Sequence, residues 1–156
     1  MNKMDLINIK NIIFDWGGVI TNIDFDATIN AFKEYGINDF EKYYCKVYQS
    51  KLFQELEIGK ITPAQFREEL REIIPFDITD NEIDTAWFAM LLDTPKENIE
   101  FLKSLKKNYR IFLLSNTNAI HVKMYDAIFE TKHNLKGGFR HLFEKVYVFK
   151  LNWTFL

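Results

Sequence analysis

The sequence has little of what fibrous, secreted or membrane proteins depend on. It holds one cysteine, three prolines and six glycines in 156 residues. The lone Cys45 can close no internal disulfide, which excludes a disulfide scaffold and fits a reducing compartment. A collagen-like repeat is excluded by so little glycine and proline. Charge of one sign is missing too: 20 Lys and Arg face 22 Asp and Glu, for a net charge of −2. That excludes the strong positive field that nucleic-acid binding needs, so no nucleic-acid partner is expected. No apolar stretch reaches the length of a membrane span. At the start, Met1-Asn-Lys-Met-Asp-Leu-Ile-Asn8 carries charge where a signal peptide needs an apolar run. What is present is 47% apolar and 16% aromatic residues, 15 of them Phe. The expectation is a cytoplasmic, Phe-rich globular protein of about one domain's material.

Ile12, Ile13 and Phe14 form a short apolar run closed by Asp15 and the pair Gly17-Gly18. A run apolar on both faces reads as a strand buried inside a parallel sheet. The glycines let the backbone turn sharply and approach a ligand closely. From Asp24 to Leu92 the pattern is helical, and no strand pattern interrupts it. One helix starts near Asp26 and stops at Gly36. An amphipathic stretch runs from Asp39 to Glu57 with a break near Ser50. Three start signals follow: Thr62-Pro-Ala-Gln65, Thr79-Asp-Asn-Glu82 and Thr94-Pro-Lys-Glu97. Phe66, Leu70, Ile73 and Ile74, then Ile83, Trp87 and Met90, keep helical spacing behind the first two.

An α/β rhythm then returns. Ile99, Leu102 and Leu105 mark a helix, and Arg110–Ser115 is a second buried strand. Asn118 caps a helix carrying Ile120, Met124 and Ile128. Gly137-Gly138 form a loop, and Lys145–Phe149 reads as a third strand. This order predicts a doubly wound, parallel Rossmann-like α/β sheet. Residues 24–92 are the helical insert, and 1–23 with 93–156 the core.

In such a sheet, ligands bind beyond the carboxyl ends of the strands. Asp15 ends one strand and Ser115-Asn116 another, and adjacent parallel strands would bring them together. A carboxylate facing a hydroxyl, an amide and loop N–H groups suits phosphoryl transfer: the carboxylate attacks phosphorus and the donors hold its oxygens. A divalent cation would offset the repulsion between carboxylate and phosphate.

Phe14-Asp-Trp-Gly-Gly-Val19 taken with Leu113-Leu-Ser-Asn-Thr-Asn118 resembles the haloacid dehalogenase-like (HAD) hydrolase superfamily. The chain is most similar to its helical-cap branch, which includes the α-D-glucose-1-phosphate phosphatases; Glu57-Ile-Gly-Lys-Ile-Thr62 and Ala86-Trp-Phe-Ala-Met-Leu91 also look like that branch's cap. The resemblance implies an Mg²⁺-dependent phosphatase acting on a small phosphorylated metabolite, hexose phosphates leading, through an aspartyl-phosphate. By position, Asp15 matches the nucleophile and a metal ligand, and the Gly17 carbonyl a second ligand. Ser115, Asn116 and Gly18 match the phosphate-binding positions.

Two departures accompany it. The widespread pattern has a second Asp two places after the nucleophile, where this chain has Gly17, as the glucose-1-phosphatase-like branch does. Asp24 and His121 are the candidates to replace it as acid/base. The family also follows its third strand with a Lys, usually in Lys-Pro-Asp, and ends a fourth strand in an acid. Neither pattern occurs here, and Lys145 and Lys150 lack that setting. The expectation is a reading frame cut short near Val148, a core incomplete at its C-terminus, and an exposed sheet edge open to self-association. The alternatives are a non-catalytic remnant or binding module, and a metal-independent 2-haloacid dehalogenase. His133 and His141 read as surface residues. Phe32, Tyr35, Phe40, Tyr43, Tyr44, Tyr48 and Phe53 read as packing, with some free to line a sugar pocket.

Overall fold

The computed structural model describes residues 8–45, 48–74 and 77–148. The start segment, Phe149, Lys150 and the tail after them lie outside these residues. Strands β1 (Asn11–Phe14), β4 (Arg110–Ser115) and β5 (Lys145–Val148) form one sheet in the order β1-β4-β5. Both pairings are parallel, with Phe14 opposite Leu113 and Ser115 opposite Val148. Helices α5 (Lys96–Leu105) and α6 (Ala119–Lys132) make the crossovers. Their apolar stripes pack with Trp16, Ile111, Leu113 and Phe143 into one buried cluster.

The residues between β1 and α5 fold mainly as α1 (Phe25–Glu34), α2 (Lys51–Glu57), α3 (Pro63–Ile73) and α4 (Asp80–Phe88). They bury a second cluster, centred on aromatic rings. Phe32 stacks on Phe40 at 3.9 Å, and Phe53 meets Phe40, Tyr44, Phe66 and Trp87 within 5.6 Å. Truncating so central a ring as Phe53 costs about 3–5 kcal/mol. Arg67 of α3 grips Asp84 of α4 through two hydrogen bonds of 2.9 and 3.2 Å, which fixes the angle between those helices. No helix among the described residues is long and apolar enough to cross a membrane.

Most expected elements form. Thr62 and Thr79 each complete a reciprocal capping box, and Asn118 accepts from the N–H groups of Ile120 and His121 at 3.1 Å each. Gly36 follows α1 with φ of 86°, a conformation that favours glycine.

Four readings need correction. The helical insert also contains a small antiparallel hairpin, β2 (Tyr44–Cys45) with β3 (Tyr48–Gln49), so the 39–57 stretch is a 3-10 turn, a hairpin and then α2. Thr94 caps nothing: Pro95 occupies the cap position of α5, and the buried Thr94 hydroxyl faces that of Thr21. Ile73 is exposed on the outer side of α3. Finally, β1 is not sandwiched between layers. Its side chains alternate, and Ile13 is 64% exposed on a sheet face that no described element covers.

Candidate functional site

Asp15 follows β1 directly and points its side chain into an exposed position, while the next residue anchors the loop. Trp16 is 4% exposed and packs within 6.0 Å of the rings of Tyr125, Phe129, Phe139 and Phe143. A strand end pinned by so large a ring holds its neighbour's carboxylate in a defined place. One oxygen of that carboxylate, Oδ1, accepts the Trp16 N–H at 2.7 Å, which leaves Oδ2 free.

The loop closes on itself. The N–H groups of Ile20 and Thr21 donate to the Trp16 carbonyl at 2.8 and 3.0 Å, and the Gly18 N–H donates to the Thr21 carbonyl at 2.8 Å. Gly18 adopts φ of 73°, so its contribution is the shape of the turn rather than a free donor. Gly17 has its own constraint: a Cβ there would press into Ile23 Cδ1. Position 17 is thus too tight for a second acid unless Ile23 moves.

The parallel register sets the loop after β1 alongside the end of β4. Ser115 there is buried and Asn116 exposed. The next residues enter α6, where Asn118 caps the helix and also donates to His121 Nδ1 at 3.3 Å. His121 Nε2–H donates to the Trp87 carbonyl at 3.1 Å. Buried at 4% exposure, with both ring nitrogens engaged, the imidazole is pushed by burial down to about 4. Asp24, the other acid/base candidate, is exposed and caps α1 by accepting the Asp26 N–H at 3.0 Å.

Two connections join the insert to the sheet, and they run side by side. Asn22 and Asp93 are joined through side chains at 2.9 Å and through backbone at 3.0 Å, and the Asp24 N–H donates to the Met90 carbonyl at 2.9 Å. Between insert and sheet lies a cleft of about 690 Å³, lined among others by Glu57, Thr62, Thr117, Asn118, Lys123 and Arg140. Asp15 and Ser115 are not on its lining, whereas Thr117 and Asn118, just beyond Asn116, are. Burial pushes the Glu57 carboxyl up from the usual carboxylate range, and its hydrogen-bond partner is Gln49 Nε2 at 3.5 Å. The sequence placed Glu57 in a cap-like motif without giving it a role, and it did not mark Lys123 or Arg140. The signal available was that motif, with Glu57 two positions ahead of Gly59.

No family model matches the chain. It is 38% identical over 110 residues to the D-ribitol-5-phosphate phosphatase of Bacteroides thetaiotaomicron, across 70% of this chain and 53% of that protein. The chain therefore spans about half the length of this curated relative. A HAD family enzyme from Bacteroides thetaiotaomicron, solved as a mutant with magnesium and inorganic phosphate, superposes with a TM-score of 0.83 at 35% identity. That match covers 92% of this chain and 70% of the other. A HAD-like hydrolase from Porphyromonas gingivalis gives a TM-score of 0.77 at 31% identity, over 91% and 67%.

Proposed function

Because this chain belongs to the HAD family of hydrolases, we propose that it carries the nucleophile half of an Mg²⁺-dependent phosphatase for small phosphate esters. One observation supports this most: β1 and β4 pair in parallel with Phe14 opposite Leu113, so both strands end on one side of the sheet, Asp15 directly after one and Ser115 closing the other. In this reading Asp15 Oδ2 attacks phosphorus, an aspartyl ester bond to phosphorus forms, and the P–O bond to the alcohol breaks. The departing alkoxide takes a proton and leaves as the alcohol. Water then attacks the phosphorus, releasing inorganic phosphate and restoring the carboxylate. The Ser115 hydroxyl and Asn116 amide hold the phosphoryl oxygens.

Magnesium suits this setting. It keeps several waters and binds through one or two carboxylates plus the substrate's phosphate rather than in a protein cage. Asp15 and the Gly17 carbonyl would hold it, and no cluster of three His, Cys, Asp or Glu groups occurs among the described residues. When bound, it supplies positive charge against the phosphoryl oxygens. Residues 24–92 act as the cap, and their cleft face receives the alcohol part of the substrate. The curated relative's name favours a phosphorylated polyol of sugar size. We assign His121 to holding α6 against α4, and keep Asp24 as the acid/base candidate.

The test is hydrolysis of a generic aryl phosphate, then of D-ribitol 5-phosphate, with and without Mg²⁺, by the chain and by Asp15→Asn. Turnover that needs both Mg²⁺ and Asp15 is expected. A folded chain that binds phosphate without turnover would favour the non-catalytic binding reading. Halide release without metal would favour the dehalogenase.

A further inference from the structure

We infer that Tyr125 is a positioning residue for the reaction proposed above: its hydroxyl ties Trp16 to Thr21 beneath the loop that carries Asp15. Its kinetic consequence rests on the phosphatase reading; its hold on the loop does not. Tyr125 sits on α6 and is buried, as are Trp16 and Thr21. Its ring meets the Trp16 indole edge to face at 5.5 Å and packs against Phe88, Phe129 and Phe139. Among such neighbours a phenylalanine would pack as well and bring no polar atom to bury. The hydroxyl needs a reason of its own.

Two buried polar atoms lie unpaired at this contact. Trp16 Nε1 and Tyr125 Oη each have no hydrogen-bond partner among the described residues. An indole can only donate, whereas a phenol can accept and donate at once. Neither group meets the geometry of a full hydrogen bond, yet Thr21 and Trp16 both stand close to the phenol. Burial pushes its pKa up, and those two side chains oppose the rise. The Thr21 hydroxyl in turn faces that of Thr94. One arrangement serves both unpaired atoms: the Trp16 N–H donates to the Tyr125 oxygen, the Tyr125 O–H to Thr21 Oγ1, and the Thr21 O–H to Thr94 Oγ1. The donor-only indole sets the direction of the chain, and in a dry site its members strengthen one another.

What this chain of groups holds is the loop. Gly17 and Gly18 offer no side chain to anchor it, and Val19 is exposed. The N–H groups of Ile20 and Thr21 turn back onto the Trp16 carbonyl, so backbone bonds keep the loop's shape but not its place. Its place is set from the buried side. The anchors are the Trp16 ring, Asn98 Nδ2 donating to the Ile20 carbonyl at 2.9 Å, and the Thr21 hydroxyl. Tyr125 reaches the first of these and the last. Trp16 also supplies the N–H that meets Asp15 Oδ1 at 2.7 Å, so a shift of the indole moves the carboxylate. Misplacing an attacking group by about 1 Å can cost on the order of 100-fold in rate.

The test removes one oxygen. Tyr125→Phe is made in the full chain and read by amide hydrogen exchange and by aryl phosphate turnover with Mg²⁺. Exchange at Gly18, Ile20 and Thr21, whose N–H groups close the loop, should quicken about tenfold. Ile99 and Leu102 of α5, buried in the same cluster, should exchange as before, which separates a loosened loop from a weakened fold. The kcat should fall about tenfold with KM unchanged, because the carboxylate moves while the phosphate-holding end of β4 does not. Tyr109→Phe, a hydroxyl lost from the far end of β4, should change neither reading. Loop exchange that stays as it was, or that quickens together with α5, would overturn the inference whether or not the chain turns over. Quickened exchange with an unaltered kcat would overturn it as well. If the unaltered chain hydrolyses no phosphate ester, the phosphatase reading fails instead, and exchange alone decides whether Tyr125 sets the loop.

Discussion

The imidazole of His121 donates to the backbone carbonyl of Trp87 at 3.1 Å while its ring lies over the indole at 5.1 Å. One buried side chain thereby ties α6, beside the sheet, to α4 of the helical insert. Its pH consequence has a definite sign. Burial pushes the imidazole from 6.5 down to about 4, so between those values the unfolded chain binds the proton that the folded chain refuses. Stability is then full above about 6.5 and falls as the pH drops toward 4. Glu57, raised by burial, works the opposite way, but only as the pH approaches the carboxylate range. Urea unfolding at pH 7.5 and 5.5 should show a loss of about 1–2 kcal/mol at the lower pH. In His121→Phe that slope should flatten, at a cost of about 1–3 kcal/mol for the stranded carbonyl.

A second expectation concerns the buried hydroxyl pair of Thr21 and Thr94, where the two connections meet. Thr21→Val or Thr94→Val alone leaves one buried hydroxyl without its partner, at about 1–3 kcal/mol. Replacing both removes the pair while keeping its shape. The double variant should therefore lose clearly less than the sum of the singles, a coupling that denaturation of the four proteins measures directly.

This pair also marks where the sequence could and could not be read. Thr94-Pro-Lys-Glu97 has every residue of a capping box, as do the segments at Thr62 and Thr79. The difference is tertiary, because a partner hydroxyl 73 positions away claims Thr94. The hairpin at Tyr44–Gln49 has strands of two residues, too short for any period to register. Ile12 and Ile13 are identical in kind, and only the direction of the crossovers decides which is covered. What did show was local or topological. Apolar runs ending in polar residues marked β1 and β4, and their parallel pairing puts both strand ends on one side of the sheet. The cleft stayed hidden because its walls come from residues 56–63, 117–126, Arg140 and Val148, which no spacing connects.

The two glycines after Trp16 should respond differently to the same change. At Gly18 an added Cβ meets nothing, but φ is 73°. Gly18→Ala thus costs about 1–2 kcal/mol of backbone strain. At Gly17 an added Cβ meets the far end of the Ile23 side chain, which can swing aside. Gly17→Ala should cost under about 1 kcal/mol. Gly17→Asp should be better tolerated in an Ile23→Ala background than alone, and thermal melting of the single and double variants checks the order.

Glu57 offers the sharpest separation of stability from function. Burial, which raises the Glu57 carboxyl, disfavours its charged form in the folded state. Glu57→Gln removes the charge and keeps the side chain's size and its reach to Gln49. The folded state should therefore gain a few tenths to about 1 kcal/mol at pH 7. The gain should shrink as the pH falls through the ordinary carboxylate value of 4.5 and vanish below it, where the carboxyl is protonated in both states. Under the phosphatase reading the same change should raise KM for D-ribitol 5-phosphate several-fold, because a cleft carboxylate accepts from the hydroxyls of a polyol. An aryl phosphate, which has no such hydroxyls, should show an unchanged KM. Equal effects on both substrates would remove Glu57 from the recognition of the alcohol and leave it a cost carried by the fold alone.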